Sequence, residues 1–103
     1  MQTQQITGGL AVTAMWEARD GEADAVADIL GRFAPQARQE AGVNLFLVHR
    51  ALENRAQFLF YELFDDAAAF AAHQQTAHFK TLVLEQAVPR LAHRERLPFS
   101  ILD

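Results

Sequence analysis

The sequence predicts an α+β domain with element order β-α-β-β-α-β on a four-stranded antiparallel sheet. Three observations carry this. Apolar, β-favouring residues fill Leu10–Ala18, Val43–Leu52 and Gln57–Phe64, each closed by turn-forming residues. Between and after these runs the apolar spacing changes to the helical period, twice. A last alternation of Leu97, Phe99 and Ile101 with Pro98, Ser100 and Leu102 reads as an edge strand, where a proline is tolerated.

Residues 1–8 read as a flexible, polar lead-in to a single domain over 9–103. Asp20-Gly21 turns the first strand into a helix starting at Glu22, with Val26, Ile29, Leu30 and Phe33 on one face. Pro35 is expected to kink or interrupt that helix, and Gly42 to stop the segment. Glu53-Asn54-Arg55 joins strands two and three as a hairpin. Asp65 or Asp66 caps a short alanine-rich helix through about Gln74. Thr76 caps a further helix that buries Phe79, Leu82 and Val83 before Pro89. This order is the split βαβ, or ferredoxin-like, arrangement, with the helices on one sheet face.

The opposite face of such a sheet is ordinarily polar. Here both parities of the strands are largely apolar, as in Phe58, Phe60 and Phe64 against Leu59, Tyr61 and Leu63. A second copy of the sheet is the simplest cover, so a homodimer through the sheet face is expected; the alternatives are helices that wrap further or a monomer that tolerates an apolar face.

Half of the 103 residues are apolar and the net charge is −4, which gives no basic stripe for nucleic acid and none for a membrane surface. The absence of cysteine removes disulfides, thiolate nucleophiles and cysteine-ligated metals, and suits a reducing cytoplasm. The first residues lack a basic segment followed by an apolar one, so no signal peptide is expected, and no run approaches the ~18 apolar residues of a membrane span. The four histidines include no i, i+4 pair, so no dedicated metal site is expected.

The chemistry concentrates between Phe58 and Lys80. Glu62 lies in the otherwise aromatic and aliphatic run FLFYELF, and a carboxylate there is costly to bury without a partner. Glu62 shares a strand face with Phe58, Phe60 and Phe64; Phe70 and His73 share a side of the next helix. If those surfaces meet, Glu62 and His73 form a pair against an aromatic wall. The competing reading is a structural hydrogen bond that anchors the helix.

The topology, the Glu62 strand and the run AAAFAAHQQTAHFK together resemble the antibiotic biosynthesis monooxygenase family. Tyr61-Glu62, Phe64, the helix ending in His73, and Thr76-Ala77-His78-Phe79 follow the family order, and Glu40-Ala41-Gly42-Val43 resembles its turn into strand two. The resemblance implies a dimeric α+β barrel. It further implies a cofactor-independent monooxygenase that oxidises quinol-like or polycyclic phenolic molecules with dioxygen. The family's haem-degrading set of Asn, Trp and His is matched here only by His73, with Ala14 and Phe64 at the other positions, so haem degradation is disfavoured.

Cofactor-free oxygenation needs an apolar slot for a flat ring, a proton acceptor and stabilisation of the resulting oxyanion. His73, oriented by Glu62, is the expected acceptor. Phe46, Phe60, Phe64 and Phe79 are expected substrate-contacting walls, with Phe79 equally a core residue. Asn44 is either a hydrogen-bonding group for a substrate hydroxyl or a turn residue. His78 is either a pocket rim or a solvent-facing residue. Trp16 is an interface anchor or a substrate stack, and His49 points to the dimer side. His93, Arg94 and Arg96 read as a solvated loop, and the shortage of basic groups near Glu62 argues against a phosphorylated substrate. The alternatives are an isomerase or other proton-transfer enzyme on a small oxygenated metabolite, and a non-catalytic small-molecule-binding stress-response module.

Overall fold

The computed structural model describes residues 9–102; the expected lead-in over 1–8 lies outside them. Strand β1 (Leu10–Ala18) is followed by helix α1 (Ala23–Arg38), the hairpin of β2 (Val43–Arg50) and β3 (Gln57–Phe64), helix α2 (Ala67–Gln75), helix α3 (Phe79–Ala87) and β4 (Leu91–Ser100). The antiparallel sheet has the order β2-β3-β1-β4, the ferredoxin-like arrangement expected. No described helix is long and apolar enough to cross a membrane.

Alternation sorts the strands cleanly. Val12, Ala14 and Trp16 of β1 and Phe58, Phe60, Glu62 and Phe64 of β3 face the helices. The helix-facing core packs them against Val26, Ile29, Leu30 and Phe33 of α1 and Leu82, Val83 and Ala87 of α3. The four α1 positions picked out by helical spacing are all buried. Pro35 does not interrupt α1: it stands in the last turn, where it deletes one hydrogen bond, and the helix continues to Arg38.

Two glycines have definite tasks. Gly21 takes φ +81° at the turn between β1 and α1. Gly42 lies beyond the end of α1 and is needed for close approach: a Cβ there would fall 2.4 Å from Cβ of Ala69 on α2. Asp65 N–H also donates to the Gly42 carbonyl at 2.9 Å. The loop preceding β2 is thereby held against α2, which proves decisive for the site.

Helix α2 is capped by the Asp66 side chain, which accepts from Ala69 N–H at 2.8 Å. Thr76 serves both neighbours: its hydroxyl donates to the His73 carbonyl at 2.8 Å and accepts from Phe79 N–H at 3.2 Å. Helix α3 is wound as a π-helix and passes into a single 3₁₀ turn, Val88–Arg90.

The last strand is longer than its apolar alternation indicates. It starts at Leu91, so His93, Arg94 and Arg96 belong to β4 and not to a solvated loop. Its residues beyond Leu91 are exposed, and the main-chain ladder to β1 defines it. Charged residues suit such an edge. The sheet face away from the helices carries Leu47, Leu59, Tyr61, Leu97 and Phe99, all exposed, with Leu97 56 % and Phe99 45 % accessible.

Candidate functional site

A cavity of about 40 Å³ lies between the helix side of the sheet and helices α1, α2 and α3. That space holds about three waters. Trp16, Phe33, Phe46, Phe60 and Phe79 form its buried aromatic wall, and Glu62 and His73 are its buried polar groups. Its outer end is formed by half-buried Phe70 on α2 and by exposed Arg94 and Arg96 on β4. The Arg96 guanidinium lies 5.2 Å from the Phe70 ring centre and bridges α2 and β4 there.

Glu62 and His73 do share this cavity, as the two faces suggest, but they are not hydrogen-bonded to each other. The partner of His73 is Glu40, from the loop that Gly42 holds against α2. His73 Nδ1–H donates to the two Glu40 oxygens at 3.0 Å each. His78 Nε2–H donates to Glu40 Oε2 at 2.6 Å. One carboxylate therefore clamps both histidines. Because a carboxylate only accepts, it fixes the His73 tautomer with the proton on Nδ1 and leaves Nε2 as a lone pair.

His73 is 2 % accessible, and burial lowers its pKa below the ordinary 6.5; Glu40 opposes this through its charge and hydrogen bond, while His78 and Arg96 add to the fall. The imidazole is thus neutral and basic at Nε2. Glu62 moves the other way. Burial raises its carboxyl pKa to about 8, with Arg96 pulling it down and the Glu40 charge pushing it up. No hydrogen bond to Glu62 forms among the described residues, so the helix-anchoring alternative has no contact behind it. At neutral pH the site pairs an unprotonated base with a protonated acid, an arrangement suited to proton transfer.

The remaining sequence candidates separate. Phe46, Phe60 and Phe79 line the cavity. Phe64 stands behind it, 5.1 Å from the Phe70 ring and 5.4 Å from that of His73, and so supports the lining. His78 does not line the cavity and touches it only through its hydrogen bond to Glu40. Asn44 lies outside this cavity: it occupies the β2 bulge between Val43 and Leu45, is exposed, and lines a separate depression with Arg38 and Leu47. The bulge shifts the parity that had placed Asn44 beside Phe46. Trp16 packs on Phe60 at 4.6 Å inside the cavity, which decides against an interface position. His49 is on the outer face and donates Nδ1–H to the Leu59 carbonyl at 3.1 Å.

Sequence reasoning assigned no role to Glu40 and placed Arg94 and Arg96 in a loop. Glu40 comes from a turn 33 residues before His73, a separation without a local signal. The two arginines carried one: alternate positions on a strand share a face.

The comparisons agree with this fold. The antibiotic biosynthesis monooxygenase sequence profile matches residues 9–83. The Pseudomonas aeruginosa protein PA3566 is 25 % identical, with a TM-score of 0.85 over 95 % of this chain and 98 % of its own. An antibiotic biosynthesis monooxygenase superposes at 0.85 with 20 % identity, over 91 % of this chain and 99 % of its own. A conserved Methanosarcina mazei protein reaches 0.86 at 17 % identity, over 98 % and 99 %. No curated protein matches the chain. The profile spans β1 through the first half of α3 and so takes in Glu40, Glu62, His73 and His78; on that match, this chain belongs to the antibiotic biosynthesis monooxygenase family.

Proposed function

We propose that the protein is a cofactor-independent monooxygenase acting on a quinol-like or polycyclic phenolic substrate with dioxygen. The observation that carries this reading is His73, hydrogen-bonded to Glu40, sharing an aromatic-walled cavity with the buried carboxyl of Glu62. In the proposed sequence His73 Nε2 removes a proton from the ring hydroxyl. Glu62 donates a hydrogen bond to a substrate oxygen that gains negative charge. The electron-rich anion passes one electron to dioxygen, and the radical and superoxide join through a new C–O bond. The hydroperoxide then loses water: one oxygen atom stays on the ring as a carbonyl and the other leaves in the water. Two substrate hydrogens leave in the same water, so electrons and atoms balance without a further reductant.

A ring needs more room than about 40 Å³, so its admission requires Phe70 and Arg96 to part. The family resemblance and the exposed apolar outer face together support a homodimer formed through that face.

The reading is tested by oxygen consumption of metal-stripped protein on hydroquinones, hydroxylated naphthalenes and anthrones, with His73→Ala alongside. Uptake that needs no metal or flavin and disappears in the variant is expected. Equal uptake by both proteins removes His73 from the mechanism.

The small volume favours a second reading, an isomerase of a small oxygenated metabolite using the same base and acid. That enzyme would catalyse proton exchange into solvent deuterium without oxygen uptake. A binding module would bind ligand and do neither.

A further inference from the structure

We infer that Arg94 and Arg96 form an oxyanion-binding subsite at the mouth of this cavity, and that the phenolic substrate carries an acid group besides its ring hydroxyl. The inference rests on the cavity being the substrate site and narrows the substrate class.

Every other arginine has a polar partner. Arg32 pairs with Asp28, Arg50 and Arg55 share Asp24, and Arg90 pairs with Glu22. Arg19 donates to the Pro89 carbonyl and Arg38 to that of Phe46. Among the described residues, the side chains of Arg94 and Arg96 make no ion pair and no hydrogen bond, although the chain carries 13 acidic residues against 9 basic ones. Two like charges on one strand face with no counter-ion repel each other, and a bound anion would relieve that repulsion.

Their placement fits a ligand. In register, Arg94 lies opposite Trp16 and Arg96 opposite Ala14, and both β1 residues line the cavity. Both guanidinium-bearing residues thus stand on the helix side of the sheet, at the end of the cavity remote from Phe33 and Phe46. Glu95, between them, also borders the mouth but has the opposite parity, opposite Met15, and its carboxylate accepts from His93 Nε2–H at 2.8 Å. The acidic group nearest in function is Glu62, which stays protonated at neutral pH and leaves the arginine charges unneutralised. A ring against Trp16 and Phe60 would present a carboxylate or phosphate to two planar donor forks, the geometry at which arginine is strongest. Binding such an anion would also draw Arg96 off Phe70 and so couple recognition to opening of the mouth.

The test is calorimetric titration of the intact protein with 2-naphthoate, 2-naphthyl phosphate, 2-naphthol and methyl 2-naphthoate, without turnover. One or both anions should bind at least about tenfold more tightly than the neutral pair, as expected for a charge-assisted contact. The tighter of the two names the oxyanion. That preference should shrink in 0.5 M salt, where the screening length is about 4 Å. It should disappear in Arg94→Gln/Arg96→Gln and fall in part in each single variant. These side chains are exposed, and an unchanged circular dichroism spectrum verifies the fold. Equal affinity for acid and ester overturns the inference, as does absence of anion binding at millimolar concentration or a preference that survives the double variant. Because binding is read without oxygen, a retained preference with no oxygen uptake would sink the monooxygenase reading and leave this one standing.

Discussion

Replacing Glu62 with Gln offers a quantitative test of the site's electrostatics. Glu62 is 6 % accessible, pairs across the ladder with Val12 on one side and Phe46 on the other, and its carboxyl is raised from 4.5 to about 8. A raised carboxyl means that folding takes up a proton. The contribution of Glu62 to stability is therefore fully present below pH 4.5 and is lost as pH rises toward about 8. Each pH unit in that window costs about 1.4 kcal/mol, which amounts to about 3 kcal/mol by pH 7. Gln keeps the shape and has no proton to lose. Urea unfolding of both proteins from pH 4 to 8 measures the difference. The Glu62→Gln protein should match the parent near pH 4.5 and exceed it by about 3 kcal/mol at pH 7. A gap that is the same at both pH values, or a Gln variant that is weaker at pH 7, refutes the buried, protonated acid.

Three further outcomes follow from the geometry. Gly42→Ala places a Cβ 2.4 Å from that of Ala69 and should cost about 1–3 kcal/mol, read as a lower melting temperature; Ala69→Gly in the same chain should restore most of it. Glu40→Gln removes the group that holds up the His73 pKa, so nuclear magnetic resonance titration should place His73 lower still, while turnover falls about ten- to a hundredfold. Leu97→Asp with Phe99→Asp charges the exposed outer face, and sedimentation equilibrium should then report the monomer mass, with the parent at twice that.

Local order was legible in the sequence to the degree that burial and main-chain pairing coincide. Strands β1 and β3 have the boundaries their apolar runs indicate, and the α1 stripe is where its spacing puts it. Strand β4 was half missed because an edge strand exposed on both sides needs no apolar alternation, only the ladder to β1. The same reason hid the arginines that close the cavity. Asn44 was misplaced because a one-residue bulge reverses strand parity and leaves no mark in composition. The face of Glu62 and the side of His73 followed from periodicity, so their meeting was foreseeable. Their lack of a bond was not, since Glu40 reaches His73 only through the Gly42–Ala69 contact, a feature of tertiary packing.

Oxygen-isotope labelling tests the central claim most directly. A single turnover of metal-stripped protein under ¹⁸O₂, on the member of the phenolic panel that gives the fastest uptake, is followed by mass spectrometry of the product. The account predicts one labelled oxygen atom per product molecule, the other in water, and no enzyme-dependent product from the His73→Gln protein. Product that carries no label, or labelled product formed equally well without His73, would contradict it.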